Sequence, residues 1–311
     1  MTLFDVCITV LTNGYYFLKR ICTRNHVWGT LPAIIYTSES PLRHPRVFAR
    51  VLVADLLASR ELAWVLFWRN VRSRYRQTIL GYIWIFLPPL ITTLTWVFLS
   101  AAGITNLKPT DIPYPLYVLS GTLLWQGFVD ALNSPLNQFN SGEAMLNKIS
   151  FPREALVIAG IAEVLLNLCI RLLLLFAVFI FLRFPVPPTV VLAPLGILAL
   201  LTFGTMIGLL LVPLGMLYHD IERAVVIILG LWFFITPVVY PVPTTFPFSQ
   251  IVLLNPLTAL LVTSREWLTT GVLSSPTQFL FTSLLSALGL FIAWIALRLA
   301  LPHMIARAGS R

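Results

Sequence analysis

The chain has 311 residues, 58% of them hydrophobic and 11% charged, with a formal net charge of +9. Soluble domains carry about a quarter charged residues, so the composition excludes a water-soluble globular protein and points to an integral membrane protein. Eleven of the 21 basic residues precede residue 79 and most of the rest flank apolar runs; this is topology charge facing anionic lipid headgroups, and it leaves no basic, aromatic-rich surface domain to bind nucleic acid.

Residues 1–50 form an N-terminal extension, cytoplasmic or interfacial. Its apolar stretch Leu3–Leu18 has Lys19 and Arg20 after it and no basic residue before it, the reverse of a signal peptide. With Asp5 and Asn13 inside, it reads as interfacial rather than spanning. Cys7, Cys22 and Cys169 show no metal or redox spacing, and Cys169, inside an apolar run, is expected as a small core residue.

Residues 51–78 predict an amphipathic interface helix. Trp64, Phe67, Trp68 and Val71 recur at i, i+3, i+4 and i+7 as one apolar stripe. Arg69, Arg72 and Arg76 fall on a separate face. Such a helix lies in the headgroup plane, rings toward the acyl boundary and guanidinium groups toward phosphate. It reads either as a plain topology anchor or as a surface that also meets a cytoplasmic partner.

Six spans are predicted within a transmembrane domain over 79–302, at about 79–104, 115–136, 155–182, 190–217, 224–240 and 279–301. The fold class is therefore all-α integral membrane. Pro88-Pro89 are expected to interrupt the first span. The second is the weakest, because its clean apolar part, Leu116–Val129, is short of the ~20 residues a spanning helix needs. Sidedness supports it. With the N-terminus inside, the inner segments carry the Arg60–Arg76 group, Lys148, Arg153, Arg223, Arg307 and Arg311, and the outer ones Lys108, Arg183 and Arg265. Omitting the second span would invert everything downstream, including the cytoplasmic tail 303–311.

Between the last two spans, 241–276 is rich in proline, and its apolar run Ile251–Val262 is broken by Asn255-Pro256. Apolar runs of this length suit re-entrant or interfacial pieces, and a re-entrant segment is expected here, with a plain loop as the alternative.

Glu163, Asn167 and Arg171 recur at i, i+4 and i+8 on the third span. Charges at that depth are costly and face a bundle interior or an aqueous path. The carboxylate and guanidinium are too far apart along one helix to meet, so each needs a partner elsewhere, and structural pairing between helices is preferred to substrate contact. Among the dense aromatics, those at mid-span, Phe86, Trp125 and Trp232, are the better candidates for lining a path; the rest suit an interfacial belt.

Enzyme chemistry is sparse. A P-loop needs Gly-Lys followed by Ser or Thr, and none of the three lysines follows a glycine. The four histidines are scattered and offer no metal-ligand or nucleophile constellation.

The set of motifs, in order, resembles the permease subunits of ABC-2 type polysaccharide exporters, the group that exports O-antigen, capsule and teichoic acid. Arg69–Leu90, with Arg-Tyr-Arg-Gln-Thr-Ile-Leu-Gly-Tyr-Ile-Trp, looks like the entry to that family's first span. Asn147-Lys-Ile-Ser-Phe-Pro-Arg-Glu154 and Tyr218-His-Asp-Ile-Glu222 look like its two coupling loops. Thr236-Pro-Val-Val-Tyr-Pro241 and Asn255-Pro-Leu-Thr258, followed by Arg265, look like its outer re-entrant region.

The resemblance covers roughly residues 50–305 and implies a homodimer of six-span subunits in the bacterial inner membrane, both termini cytoplasmic. It implies two copies of a separate nucleotide-binding ATPase that carries ATP and Mg, no cofactor on this chain, and a lipid-linked glycan as cargo. The ATPase contacts implied are Arg69, Arg72 and Arg76 on the interface helix, with Asn147, Lys148, Phe151, Pro152, Arg153 and Glu154 in one loop and His219, Asp220 and Glu222 in the other. The first and fifth spans would line the channel, with Tyr82, Trp84, Phe86, Trp125, Glu163, Arg171 and Trp232 as candidate lining residues. Pro241, Asn255, Pro256 and Arg265 would mark the re-entrant region. An exporter of drugs or small lipids on the same fold, a membrane-embedded glycosyl or prenyl transferase, and a gradient-driven secondary transporter are the alternatives. The transferase would need paired acidic residues on a membrane-facing loop, and none is found.

Overall fold

The computed structural model describes residues 45–76, 81, 83–104, 112–146, 152–218 and 220–308. The stretch Leu3–Leu18 lies outside them, as do Tyr82, Asn147, Lys148, Phe151 and His219. Among the described residues every regular element is helical: α1 (Pro45–Tyr75), α2 (Ile83–Ala101), α3 (Tyr114–Leu146), α4 (Glu154–Phe181), a 3-10 turn at Pro188–Val191, α5 (Ala193–Leu217), α6 (Asp220–Ile235), α7 (Phe248–Leu254), α8 (Pro256–Thr269) and α9 (Pro276–Ala308). Arg50–Arg311 form one compact unit, which holds α2 to α9 and all but the first residues of α1.

Four of the described helices are long and apolar enough to cross a membrane: α2, α4, α5 and the Pro276–Ala300 part of α9. They coincide with the first, third, fourth and sixth expected spans. α6 coincides with the fifth but has only 16 residues. α3 takes the place of the weak second span and is much longer than expected, at 33 residues. Its low hydropathy follows from its position. Leu116, Val118, Leu119, Leu123, Leu124, Phe128, Leu132 and Leu136 are all buried in the main core, and α3 is sheathed by α2, α4, α5 and α8. A helix wrapped in protein needs no lipid-facing apolar surface, so hydropathy underestimates it.

Pro88 and Pro89 do not interrupt α2, which runs through both. They sit in its second turn and remove two amide donors, while the Thr92 hydroxyl donates to the Pro88 carbonyl at 2.9 Å. That bond does not serve the carbonyls the prolines leave open, which are those of Trp84 and Ile85, four residues before each.

α5 packs against α3, α8 and α9, and more than half of its apolar length is buried, against under a fifth of α2. Its contact with α3 depends on Gly204 and Gly208, four residues apart. A Cβ at Gly208 would lie 2.2 Å from the Leu132 carbonyl oxygen, and one at Gly204 2.8 Å from that of Phe128. Backbones meet this closely only across small residues, the packing that drives helix association where lipid removes the hydrophobic drive.

A second, smaller apolar core seats α1. Ala63, Leu66, Phe67 and Val71 of α1 join Phe139 of α3, Ala155, Leu156 and Ala159 of α4, Leu209 and Val212 of α5, and Ala293 and Leu297 of α9. The stripe inferred from the sequence is therefore split. Phe67 and Val71 face the protein, while Trp64 and Trp68 are 60% and 43% exposed. Cys169 is likewise exposed rather than in the core. The reason is common to both: lipid-facing and core-facing positions are equally apolar, so composition alone does not separate them.

Candidate functional site

Polar groups gather at three levels along α3. Tyr114 opens that helix and Asn140 lies near its far end, on the order of 40 Å apart at ~1.5 Å per residue.

At the Tyr114 end, four side chains cage the non-helical segment Thr236-Pro-Val-Val-Tyr240. Arg265, 4% exposed, donates from Nη1 to the Pro237 and Val238 carbonyls at 3.1 Å each. Its guanidinium lies 3.8 Å from the Tyr117 ring centroid. Tyr114 Oη donates to the Val239 carbonyl at 3.2 Å and Tyr117 Oη to that of Tyr240 at 3.0 Å. Asn255 Nδ2 donates to Thr236 Oγ1 at 2.9 Å, and Asn255 Oδ1 accepts from Trp232 Nε1 and from the Leu257 amide, both at 3.1 Å. Asn255 thus caps α8 ahead of Pro256, the residue types that favour a helix start, and ties that start to α6. Gly121 is required here, because a Cβ would fall 2.1 Å from the Val238 carbonyl oxygen. Every carbonyl from Pro237 to Tyr240 thereby has a donor, which irregular backbone away from water needs.

Midway, Arg171 Nη1 of α4 meets Asp130 Oδ2 of α3 at 2.6 Å. Nearer the Asn140 end, Glu163 of α4 meets Arg74 of α1 at 2.5 Å and accepts from Gln138 Nε2 at 3.2 Å. Glu154 accepts from Arg298 Nε of α9 at 2.6 Å. Asn140 donates to Glu222, and Asp220 lies 3.8 Å from Arg223 on an exposed turn.

The expected partners of Glu163 and Arg171 are therefore on other helices. Both residues, with Trp125, are enclosed within the single subunit; Trp125 packs against Phe128 and Phe233. Trp84 is exposed, Phe86 and Trp232 are half-buried. Arg69, Arg72 and Arg76 are exposed, and Arg72 lies 6.0 Å from the Trp68 ring. Pro152 and Arg153 are half-buried, while Glu154 is buried. Asp220 and Glu222 are exposed; Pro241 is half-buried, Pro256 exposed, and Asn255 and Arg265 are buried. Sequence reasoning missed Asn70, Arg74, Gln138, Asp130 and Arg298 as partners. For Arg74, Asp130 and Arg298 the available signal was charge balance, since each buried acid or base inside an apolar bundle demands a counter-ion; the neutral amides of Asn70 and Gln138 gave none. No group of three or more His, Cys, Asp or Glu able to hold a metal occurs among the described residues.

Known proteins share this sequence pattern. The family model described as ABC-2 type transporter matches residues 61–269, from the buried face of α1 to the end of α8. The O-antigen export system permease protein RfbA of Myxococcus xanthus is 30% identical over 216 residues, covering 68% of this chain and 81% of that protein. A protein of the same description from Klebsiella pneumoniae is 26% identical over 66% of this chain and 79% of its own length. The polysialic acid transport protein KpsM of Escherichia coli is 23% identical over 73% of this chain and 88% of its own length.

Proposed function

The chain belongs to the ABC-2 type transporter family, and on that premise we propose that it is the membrane-spanning subunit of an ATP-driven polysaccharide exporter. The carrying observation is the similarity to O-antigen and polysialic acid transport proteins across about two thirds or more of both sequences. The cargo is a lipid-linked glycan of the O-antigen, capsule or teichoic-acid type. ATP and Mg bind a separate ATPase, two copies of which serve a homodimer of this chain in the bacterial inner membrane.

In this reading α2, α3, α4, α5, α6 and α9 are the six spans, with both termini cytoplasmic. The Asn140 end faces the ATPase and the Tyr114 end faces outward. Burial of Arg265 among carbonyls supports that sidedness, because it removes one of the three basic residues counted outside. α1 lies in the inner headgroup plane, with exposed Trp64 and Trp68 toward lipid and Arg69, Arg72 and Arg76 toward phosphate and the ATPase. α2 and α6 present exposed Ile83, Trp84, Leu94 and Phe98, and Val226, Ile227, Leu231 and Phe234, apolar surface suited to the partner subunit and the channel wall.

The test is co-purification with a candidate ATPase subunit, followed by glycan export in cells carrying Lys148→Glu with Arg153→Glu. We expect ATPase recovery and export to fall together by about tenfold or more, the effect of like charges facing an interface built for complementary ones. Normal export by a variant that no longer recovers the ATPase would overturn the coupling role of this loop.

α7 and α8 form the re-entrant hairpin. Ile251, Leu253 and Leu254 are exposed from the protein, so lipid or water must cover them. Single cysteines there should react with a membrane-impermeant maleimide about tenfold more slowly than one at Thr245, since lipid shields the re-entrant piece. Uniformly fast labelling would establish a plain surface loop instead.

A further inference from the structure

The polar contacts of α1 close into a ring. Asn70 Nδ2 donates to Gln138 Oε1 at 2.9 Å, Gln138 Nε2 donates to Glu163 Oε2 at 3.2 Å, and Glu163 Oε1 meets Arg74 Nη2 at 2.5 Å. Asn70 and Arg74 are i and i+4 on one helix, hence side by side on one face. One helix thus grips both members of a cross-helix pair. The Gln138 and Glu163 residues are 7% and 6% exposed, respectively, while Arg74 reaches in from a side chain 52% exposed. The pair is itself held in place, because α3 and α4 approach closely there: a Cβ on Gly160 would lie 2.4 Å from Ser134 Oγ and 2.9 Å from Gln138 Cγ.

Apolar packing alone would let α1 rotate or slide, since the small core that seats it is non-directional. The ring is directional. It fixes both the rotation and the axial position of α1, and so fixes which way Arg69, Arg72 and Arg76 point. It also makes Glu163 costly to abandon, because a buried carboxylate left without its cation bears the full penalty of desolvation. A displacement of α1 is therefore passed to α3 and α4 together instead of being absorbed at the interface.

We propose that Arg74 and Glu163 are positioning residues for coupling: they form the clamp through which movement of α1, driven by the ATPase, is carried into the bundle. The inference rests on the exporter reading above. It places Glu163 in force transmission, not on a cargo path.

The test uses the full permease–ATPase complex in proteoliposomes, with glycan exported and ATP hydrolysed measured in the same samples. E163Q and R74Q should each lower glycan exported per ATP by about fivefold or more, and the swap R74E/E163R should recover at least about half of that loss, as expected for a direct pair measured by a double-mutant cycle. Export per ATP equal to wild type in both single variants would overturn the clamp. So would loss of assembly in the single variants without rescue by the swap, the pattern of a merely structural pair. Should E163Q fail to assemble, R74Q, which removes the half-exposed cation and leaves Glu163 in place, decides by the same ratio: an unchanged value overturns the clamp and a lowered one supports it. A wild-type chain that recruits no ATPase would instead defeat the exporter reading.

Discussion

Arg265→Leu will destabilise the protein more than any other single loss of a polar side chain, and it will abolish export. The guanidinium makes hydrogen bonds to two carbonyls, each worth ~1.5–3 kcal/mol for a charged donor. Its stacking on Tyr117 adds ~2 kcal/mol where the pair is desolvated. Part of this sum offsets the cost of burying the charge, so the net loss is on the order of 3 kcal/mol. The larger effect is on shape. Without Arg265 the Pro237 and Val238 carbonyls have no donor, and the turn joining α6 to the following segment loses its hold on α8. The thermal midpoint of the purified protein in detergent should fall by on the order of 5 °C. Arg265→Lys should restore less than half of that shift, because a lysine is a point charge on a shorter stem without the planar guanidinium that stacks on the Tyr117 ring. An unchanged midpoint in Arg265→Leu would show that the cage is held by Tyr114, Tyr117 and Asn255 without it.

Gly208→Leu will prevent the bundle from assembling. Even the first carbon of a side chain would fall 2.2 Å from the Leu132 carbonyl oxygen and 3.1 Å from Pro135 Cδ. Those atoms belong to backbone and to a proline ring, so neither can turn aside. The helices must separate, and overpacking typically costs ~1–3 kcal/mol even when only extra methylenes are inserted. Here the whole contact between α3 and α5 parts. The monodisperse peak of detergent-extracted protein should disappear for Gly208→Leu and shrink by about half or more for Gly208→Ala. Gly230, with nothing within 4 Å of its would-be Cβ, supplies the control, and Gly230→Ala should leave the peak intact. A normal peak for Gly208→Leu would mean that α3 and α5 are not packed as described.

These two residues also show what the sequence discloses and what it withholds. Four helices long and apolar enough to span were legible from hydropathy, and the position of the Asn255-Pro256 break from its residue types. The extent of α3 was not, because a helix sheathed in protein is free to carry Gln126, Asp130 and Gln138 among its leucines. Glu163 and Arg171 announced themselves as buried charges, yet their partners did not, since Asp130 lies 41 residues from Arg171 and Arg74 lies 89 from Glu163 in the chain. The aromatic stripe of α1 was half right. Phe67 turns to protein and Trp64 to the surroundings, a distinction invisible when both sides are apolar. Gly208 and Gly121 looked alike as glycines in a glycine-rich membrane protein; only the carbonyl facing each explains why it is there.

The ion pair between Glu154 and Arg298 bears on how the chain is made. Its members stand 144 residues apart, and Glu154 is buried at the start of α4. During synthesis the carboxylate enters its place long before its guanidinium has been translated. At ~5–20 residues per second, the interval is on the order of ten seconds, during which α4 carries an unneutralised acid at its entry. The final helix therefore completes the charge balance of a helix laid down near the middle of translation.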